Sequence, residues 1–224
     1  MEIKELENKI INADCMEILQ QLPDKCIDLV LTDPPYGINA SKKIRKGDQH
    51  GKALCKSGLK YDIKDWDAAA PEKDLFNEIF RVSKNQIIWG GNYFCENLSN
   101  SSCWLVWDKV TGENCYADCE LAYTSFKSAV RQFTFMWKGM FQENMKEKEE
   151  RIHPTQKPLP LFQWCLQNYS KEGDLILDCF SGSGTTAVAC HNLNRRFICI
   201  EKDREYHAAS VERLKREQAQ MRLF

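Results

Sequence analysis

Asp33-Pro34-Pro35-Tyr36-Gly37 is the stretch of this chain whose residue types are best suited to chemistry. The apolar run Ile27–Thr32 ahead of it is short, bounded by turn residues, and predicts a buried strand. Two prolines end such a strand, since neither has an N–H for the ladder, and they press Asp33 into an extended conformation. The product is a stiff corner that gathers a carboxylate, the proline carbonyls and an aromatic ring at a strand's C-terminal edge. Open α/β sheets bind ligands at that edge. Taken alone, the stretch also suits an ordinary turn.

A second stretch offers binding chemistry. Leu175–Asp178 predicts a strand, Cys179-Phe180-Ser181-Gly182-Ser183-Gly184 a glycine turn, and Thr185–Leu193 a helix. Glycines let backbone approach a ligand closely, and a helix start offers unpaired N–H groups to an anion. Glu201 closes the next strand, Phe197–Ile200, where it suits a ribose hydroxyl pair. Gly182-x-Gly184-x-x-Ala187, with Glu201 nineteen residues after Gly182, also satisfies a dinucleotide fingerprint. NAD, and with it an oxidoreductase, stays open beside other adenosine-containing cofactors.

The elements that must position these stretches read as an α/β chain. Lys9–Asp14 predicts a strand ending on an acid, and Met16–Gln21 a short helix, for which Asp14 serves equally well as N-cap. Ile38 to Lys60 has no periodicity and carries Lys42, Lys43, Arg45, Lys46 and Lys52, so it predicts a basic flexible loop, either simply solvated or a phosphate-binding flap. Pro71–Val82 predicts a helix, and Gln86–Trp89 and Cys103–Trp107 predict strands. Cys119–Phe126 and Arg131–Trp137 suggest a hairpin, followed by an exposed charged connection over Gln142–Arg151. Pro160–Tyr169 and the stretch from Arg204 onward predict helices.

With 224 residues, 43% of them hydrophobic, the whole chain 1–224 suits one sizeable domain. A net charge of −1 gives no global sign of nucleic-acid binding, so any such surface must be local. No apolar run approaches the roughly 18 residues of a membrane span. The start is charged and unlike a signal peptide, and the eleven cysteines read as reduced core residues of a cytoplasmic protein. Cys115-x-x-x-Cys119 with Cys103 nearby lacks the pairs and histidines of a zinc site, so no metal is expected.

Taken together, Asp33-Pro34-Pro35-Tyr36 and Phe180-Ser181-Gly182-Ser183-Gly184 resemble the catalytic and cofactor motifs of the DNA amino-methyltransferases that use S-adenosylmethionine. His153-Pro154-Thr155-Gln156-Lys157-Pro158 resembles a third family motif, which helps wall the cofactor's methionine end. The catalytic motif comes first here, as in the β-class. The resemblance spans nearly the whole chain and implies a Rossmann-like, circularly permuted fold, with helices on both faces of a seven-stranded, mostly parallel sheet.

What it implies for the residues follows. Asp33, Pro34, Pro35 and Tyr36 would form the catalytic corner. Asp33 and the Pro34 carbonyl would accept the two N–H groups of an exocyclic amine, and Tyr36 would stack on a base flipped out of double-stranded DNA. Asp14, Cys15, Asp33, His153, Thr155, Lys157, Asp178, Cys179, Phe180, Ser181, Gly182, Gly184, Thr185, Glu201 and Lys202 would surround the cofactor, with Asp14 on the adenine amino group. An aspartate in the first motif position leans toward adenine N6 over cytosine N4, with RNA adenine as a further alternative. Residues 112–151 would read the target, with Lys138 joining the loop lysines on nucleic acid. A second copy of the chain and a cognate restriction enzyme are the other expected partners.

Overall fold

The computed structural model describes residues 2–39, 65–110, 117–138, 141–143, 146 and 148–220. Helix α1 (Ile3–Leu6), strand β1 (Lys9–Asn12), helix α2 (Cys15–Leu19) and strand β2 (Ile27–Thr32) open the chain. Helix α3 (Lys73–Val82) runs directly into β3 (Ser83–Trp89), and β4 (Trp104–Asp108), β5 (Cys119–Thr124) and β6 (Arg131–Thr134) follow. A small ribbon, β7 (Trp137–Lys138) and β8 (Phe141–Gln142), precedes α4 (Leu159–Tyr169). The last third is β9 (Leu175–Asp178), α5 (Thr185–Asn192), β10 (Arg196–Glu201) and α6 (Arg204–Gln220).

Among the described residues the main sheet has eight strands in the order β1-β10-β9-β2-β3-β5-β4-β6. Pairing is parallel except on the two sides of β5, which runs against all the others. The central strands read as unbroken apolar runs because both of their faces are covered. Alternation shows in which layer each side chain joins. Leu29, Leu31, Ile176 and Cys199 pack toward α4, α5 and α6, whereas Val30, Leu177, Ile198 and Ile200 pack toward α1, α2 and α3. Leu75, Phe76, Ile79 and Val82 are the buried stripe of α3, at helical spacing.

Three expectations need correction. The sheet has eight strands where the resemblance implied seven, because β6 adds a parallel strand outside β4, with Leu105 opposite Arg131. For the same reason Cys119–Phe126 and Arg131–Trp137 are not a hairpin. Strand β5 inserts between β3 and β4, leaving β6 the outer side of β4. Aromatic packing explains the split: Phe133 lies 5.4 Å from Trp164 and Phe126 lies 4.9 Å from Tyr169, both rings of α4. Nor is Gln142–Arg151 a wholly exposed connection. Gln142 is buried and exchanges two hydrogen bonds with the Glu149 backbone, and Glu149 pairs with Arg213 of α6 at 3.0 Å.

Candidate active site

Strand order places the site. Strand β9 continues to β10 on one side and β2 continues to β3 on the other, so the sheet's topological switch point lies between β9 and β2. On the same edge, β2 ends before Asp33, β9 ends on Asp178, β10 ends on Glu201, and β1 ends two residues before Asp14. Four neighbouring parallel strands thus present an acid each.

Asp178 lies at the seam. Its Oδ1 accepts the Thr32 hydroxyl at 2.8 Å and the Phe180 N–H at 3.0 Å, and its Oδ2 accepts the Thr186 hydroxyl. Burial pushes its carboxyl up to about 6 against the pull of these donors. Both oxygens are taken up by the fold.

The Asp33 corner is a buried charge cluster. The Tyr36 hydroxyl donates to Asp33 Oδ1 at 2.6 Å, and the Lys157 ammonium donates to Oδ2 at 2.5 Å. Lys157 also lies 3.0 Å from Glu120 Oε2, and Lys109 pairs with Glu120 Oε1. Burial raises the Asp33 carboxyl above the usual range, with Lys157 pulling the other way. For Glu120, burial is outweighed by Lys157 and Lys109, which hold it at about 2. The Tyr36 ring is stacked on Tyr93 at 4.7 Å and 14°, and a Cβ on Gly90 would come 2.1 Å from it, so only a glycine lets the strand end pass. Beyond the corner, Gly37 donates its N–H to the buried Asp67 carboxylate at 2.8 Å.

Beside this corner opens a cleft of about 1030 Å³. Asp33, Pro35, Asp14, Cys15, His153, Thr155, Lys157, Asp178, Cys179, Phe180, Ser181, Gly182, Thr185, Glu201 and Lys202 all reach its wall. The other three site residues expected from the sequence do not. Pro34 is buried in the corner, Tyr36 lies against the Gly90 turn, and Gly184 turns away to pack against Ser210 of α6. Lys42, Lys43, Arg45, Lys46 and Lys52 fall outside the described residues, as does the side chain of Lys138 on β7.

The wall suits a nucleoside with a charged tail. Glu201 accepts the Gly182 N–H at 2.8 Å through Oε2 and the Asp203 N–H at 2.8 Å through Oε1, bracing the glycine turn. Gly182 has φ +49°, and a Cβ there would point toward His153 at 3.7 Å, into the space a ligand would use. Trp66, His153 and Tyr206 form a row of rings 5.0 and 4.3 Å apart along the cleft. Trp66 Nε1 is buried without a hydrogen-bond partner among the described residues, as a donor awaiting a ligand would be. Asp14 both caps α2, accepting the Met16 N–H at 3.0 Å, and pairs with Lys202 at 2.8 Å. Burial pushes the Cys15 thiol up to about 12 and the Cys179 thiol well above its usual range, so neither is a thiolate nucleophile.

Sequence reasoning missed Glu120, Lys109, Trp66 and Tyr206, and it placed Lys157 with the cofactor, whereas the structure also ties it to Asp33. Only convergence in space reveals these. The aromatic residues Phe126, Phe133, Phe135 and Trp137, which lie within the stretch 112–151 expected to read the target, pack on the main core.

Comparison with known proteins agrees with this geometry. Residues 107–212 match the N6/N4 methyltransferase family model, described as DNA methylase. The chain is 28% identical over 263 residues to the type II methyltransferase M.HinfI of Haemophilus influenzae, covering 95% of this chain and 70% of that protein. It is 25% identical over 249 residues to the type II methyltransferase M2.DpnII of Streptococcus pneumoniae, covering 93% and 90%. Its fold matches the solved complex of M1.HpyAVI with S-adenosylmethionine, with a TM-score of 0.54 and 22% identity over 92% of this chain and 98% of that one. These likenesses support a DNA amino-methyltransferase of the N6/N4 class that uses S-adenosylmethionine. S-adenosylmethionine, not a dinucleotide, is the cofactor they support at the glycine turn.

Proposed function

We propose that this enzyme transfers a methyl group from S-adenosylmethionine to the exocyclic N6 of an adenine flipped out of double-stranded DNA. One observation carries the reading: the Asp33 carboxylate stands at the switch point, on the wall of the cleft and at the end of a proline-stiffened corner. An exocyclic amine is a weak nucleophile because its lone pair is delocalised into the ring. Acceptors aimed at its N–H groups favour a pyramidal nitrogen and offset the charge that develops on it, an effect worth about 3 kcal/mol per well-placed group. Asp33 and the Pro34 carbonyl are the acceptors. The prolines present no N–H to repel the amine.

Bound in the cleft, the cofactor supplies a methyl already activated on a sulfonium. The protein's share is then alignment and exclusion of water. Glu201 would take the ribose hydroxyls, the acid at Asp14 the adenine amino group, and the Phe180–Gly184 turn the backbone-facing side. His153 and Thr155 would flank the methionine end, with Trp66 and Tyr206 extending that wall. Basic residues of the loop over 38–60, with those of 112–151, would contact phosphate and read the target. A second copy of the chain would enlarge so small a recognition surface, and a cognate restriction enzyme would share the recognition sequence. Acting on chromosomal DNA, the enzyme would work in the cytoplasm.

Adenine is favoured over cytosine because position 33 holds an aspartate, where family members acting on cytosine N4 more often use serine. The test is incubation of unmethylated DNA with the protein and methyl-labelled cofactor, digestion to nucleosides, and mass spectrometry. N6-methyladenine is expected. Labelled N4-methylcytosine would transfer the reading to the other amine, and unlabelled nucleosides would sink it.

A further inference from the structure

Before any base arrives, both carboxylate oxygens of Asp33 are engaged by protein donors, Tyr36 on Oδ1 and Lys157 on Oδ2. An incoming amine needs one of those places. Lys157, however, is not committed to Asp33: its Nζ lies 3.0 Å from Glu120 Oε2, within reach of both acids at once. The side chains of Lys157, Asp33 and Glu120 are only 7%, 18% and 20% exposed, so water is a poor partner for a displaced ammonium. Glu120 comes from β5, Lys109 follows β4, Asp33 follows β2 and Lys157 precedes α4. Four separate segments therefore converge where a single ion pair would have sufficed.

We propose that Glu120 is a positioning residue for methyl transfer, the second seat to which the Lys157 ammonium withdraws when the target amine takes its place on Asp33. The inference rests on the amine-holding role given to Asp33 above. Its charge balance is favourable. Two carboxylates and two ammoniums are already present, the entering amine is neutral, and Lys157 keeps an ion pair throughout. The groups facing Lys157 are Asp33 and Tyr36 from the corner and Glu120 from β5, with Lys109 beyond Glu120 and Asp178 beyond Asp33. With both acids present, Lys157 is held above its ordinary pKa despite burial, so it stays charged at working pH.

Glu120→Gln keeps the size of the side chain but removes the second seat, confining Lys157 to Asp33. Methyl incorporation into unmethylated DNA would be followed from pH 7 to pH 10, with calorimetric binding of S-adenosylhomocysteine alongside. At pH 7, kcat/KM for DNA should fall roughly a hundredfold, as when one member of a buried charge pair is lost. Affinity for S-adenosylhomocysteine should stay within about threefold, since Glu120 is not on the cleft wall. The deficit should shrink by about tenfold or more toward pH 10, as Lys157, with one carboxylate gone, sheds its proton and releases Asp33. A deficit that ignores pH, or a matching loss of S-adenosylhomocysteine affinity, overturns the second seat. Wild-type protein that labels no DNA would instead overturn the amine-holding role itself.

Discussion

Asp33 meets the cleft with one oxygen on Tyr36 and one on Lys157, and this double engagement separates the effects of variants at the corner. On the proposed mechanism Asp33→Ala removes the principal acceptor for the amine, and it should lower methyl transfer by about a thousandfold. Calorimetry should find S-adenosylhomocysteine bound nearly as tightly; a matching collapse in that affinity would move Asp33 to the cofactor's side. Tyr36→Phe keeps the ring stacked on Tyr93 and deletes one hydrogen bond worth about 1 kcal/mol, so kcat should drop about fivefold with the fold intact. Residues of this kind differ in how legible they are. Asp33–Tyr36 and Phe180–Gly184 are contiguous, so local chemistry shows in local order. Glu120 sits in Cys119-Glu120-Leu121-Ala122-Tyr123, where an acid passes for the polar face of an ordinary strand. Lys157 and Asp33 are 124 residues apart, a pairing that no spacing rule reports.

Among the elements, the parallel strands and their helices were readable because buried strands are apolar throughout and the helices carry stripes or glycine starts. The antiparallel end was not. Whether β5 pairs with β6 or slips between β3 and β4 depends on which aromatic rings α4 offers, and that is decided in three dimensions. The turn before α5 is closely packed. Gly184 has φ +75°, and a Cβ there would stand 2.9 Å from the Ser210 Cβ. Gly184→Ala should therefore destabilise the protein by about 1–3 kcal/mol, read from the denaturant midpoint at unchanged slope. A variant as stable as wild type would mean that α6 yields at Ser210 without cost.

At the scale of the whole molecule, the buried charges leave a signature in acid. Glu120 is held at about 2, below its ordinary 4.5, so the folded state binds its proton less readily than the unfolded chain does. Its contribution is fully present above about pH 4.5 and is lost as pH falls toward 2, at most about 3 kcal/mol. Asp178 works in the opposite sense. Raised to about 6 by burial, it favours the fold most below its ordinary 3.8, and that contribution is lost as pH rises through 6. Urea denaturation of Glu120→Gln between pH 5 and pH 2.5 should show a flatter loss of stability than wild type. Parallel curves would mean that the cluster does not carry the shift.

The seam between β2 and β9 has one more consequence. Their ladder joins Leu29 to Ile176 and Val30 to Leu177, and past it the strands are held by the Thr32–Asp178–Thr186 side chains. Mechanically, the sheet is a plate with a slit cut into one rim, and that trio is the rivet at the root of the slit. Any force applied at the rim would concentrate there, and the proposed extraction of a base from a duplex would apply one. Thr32→Val would weaken the rivet while keeping side-chain shape, and native-state hydrogen exchange should then quicken at the amides beside the slit before it quickens anywhere else in the sheet. The depth of the cleft would thus be set by one shared carboxylate, and the plate would fatigue first at the place where it works.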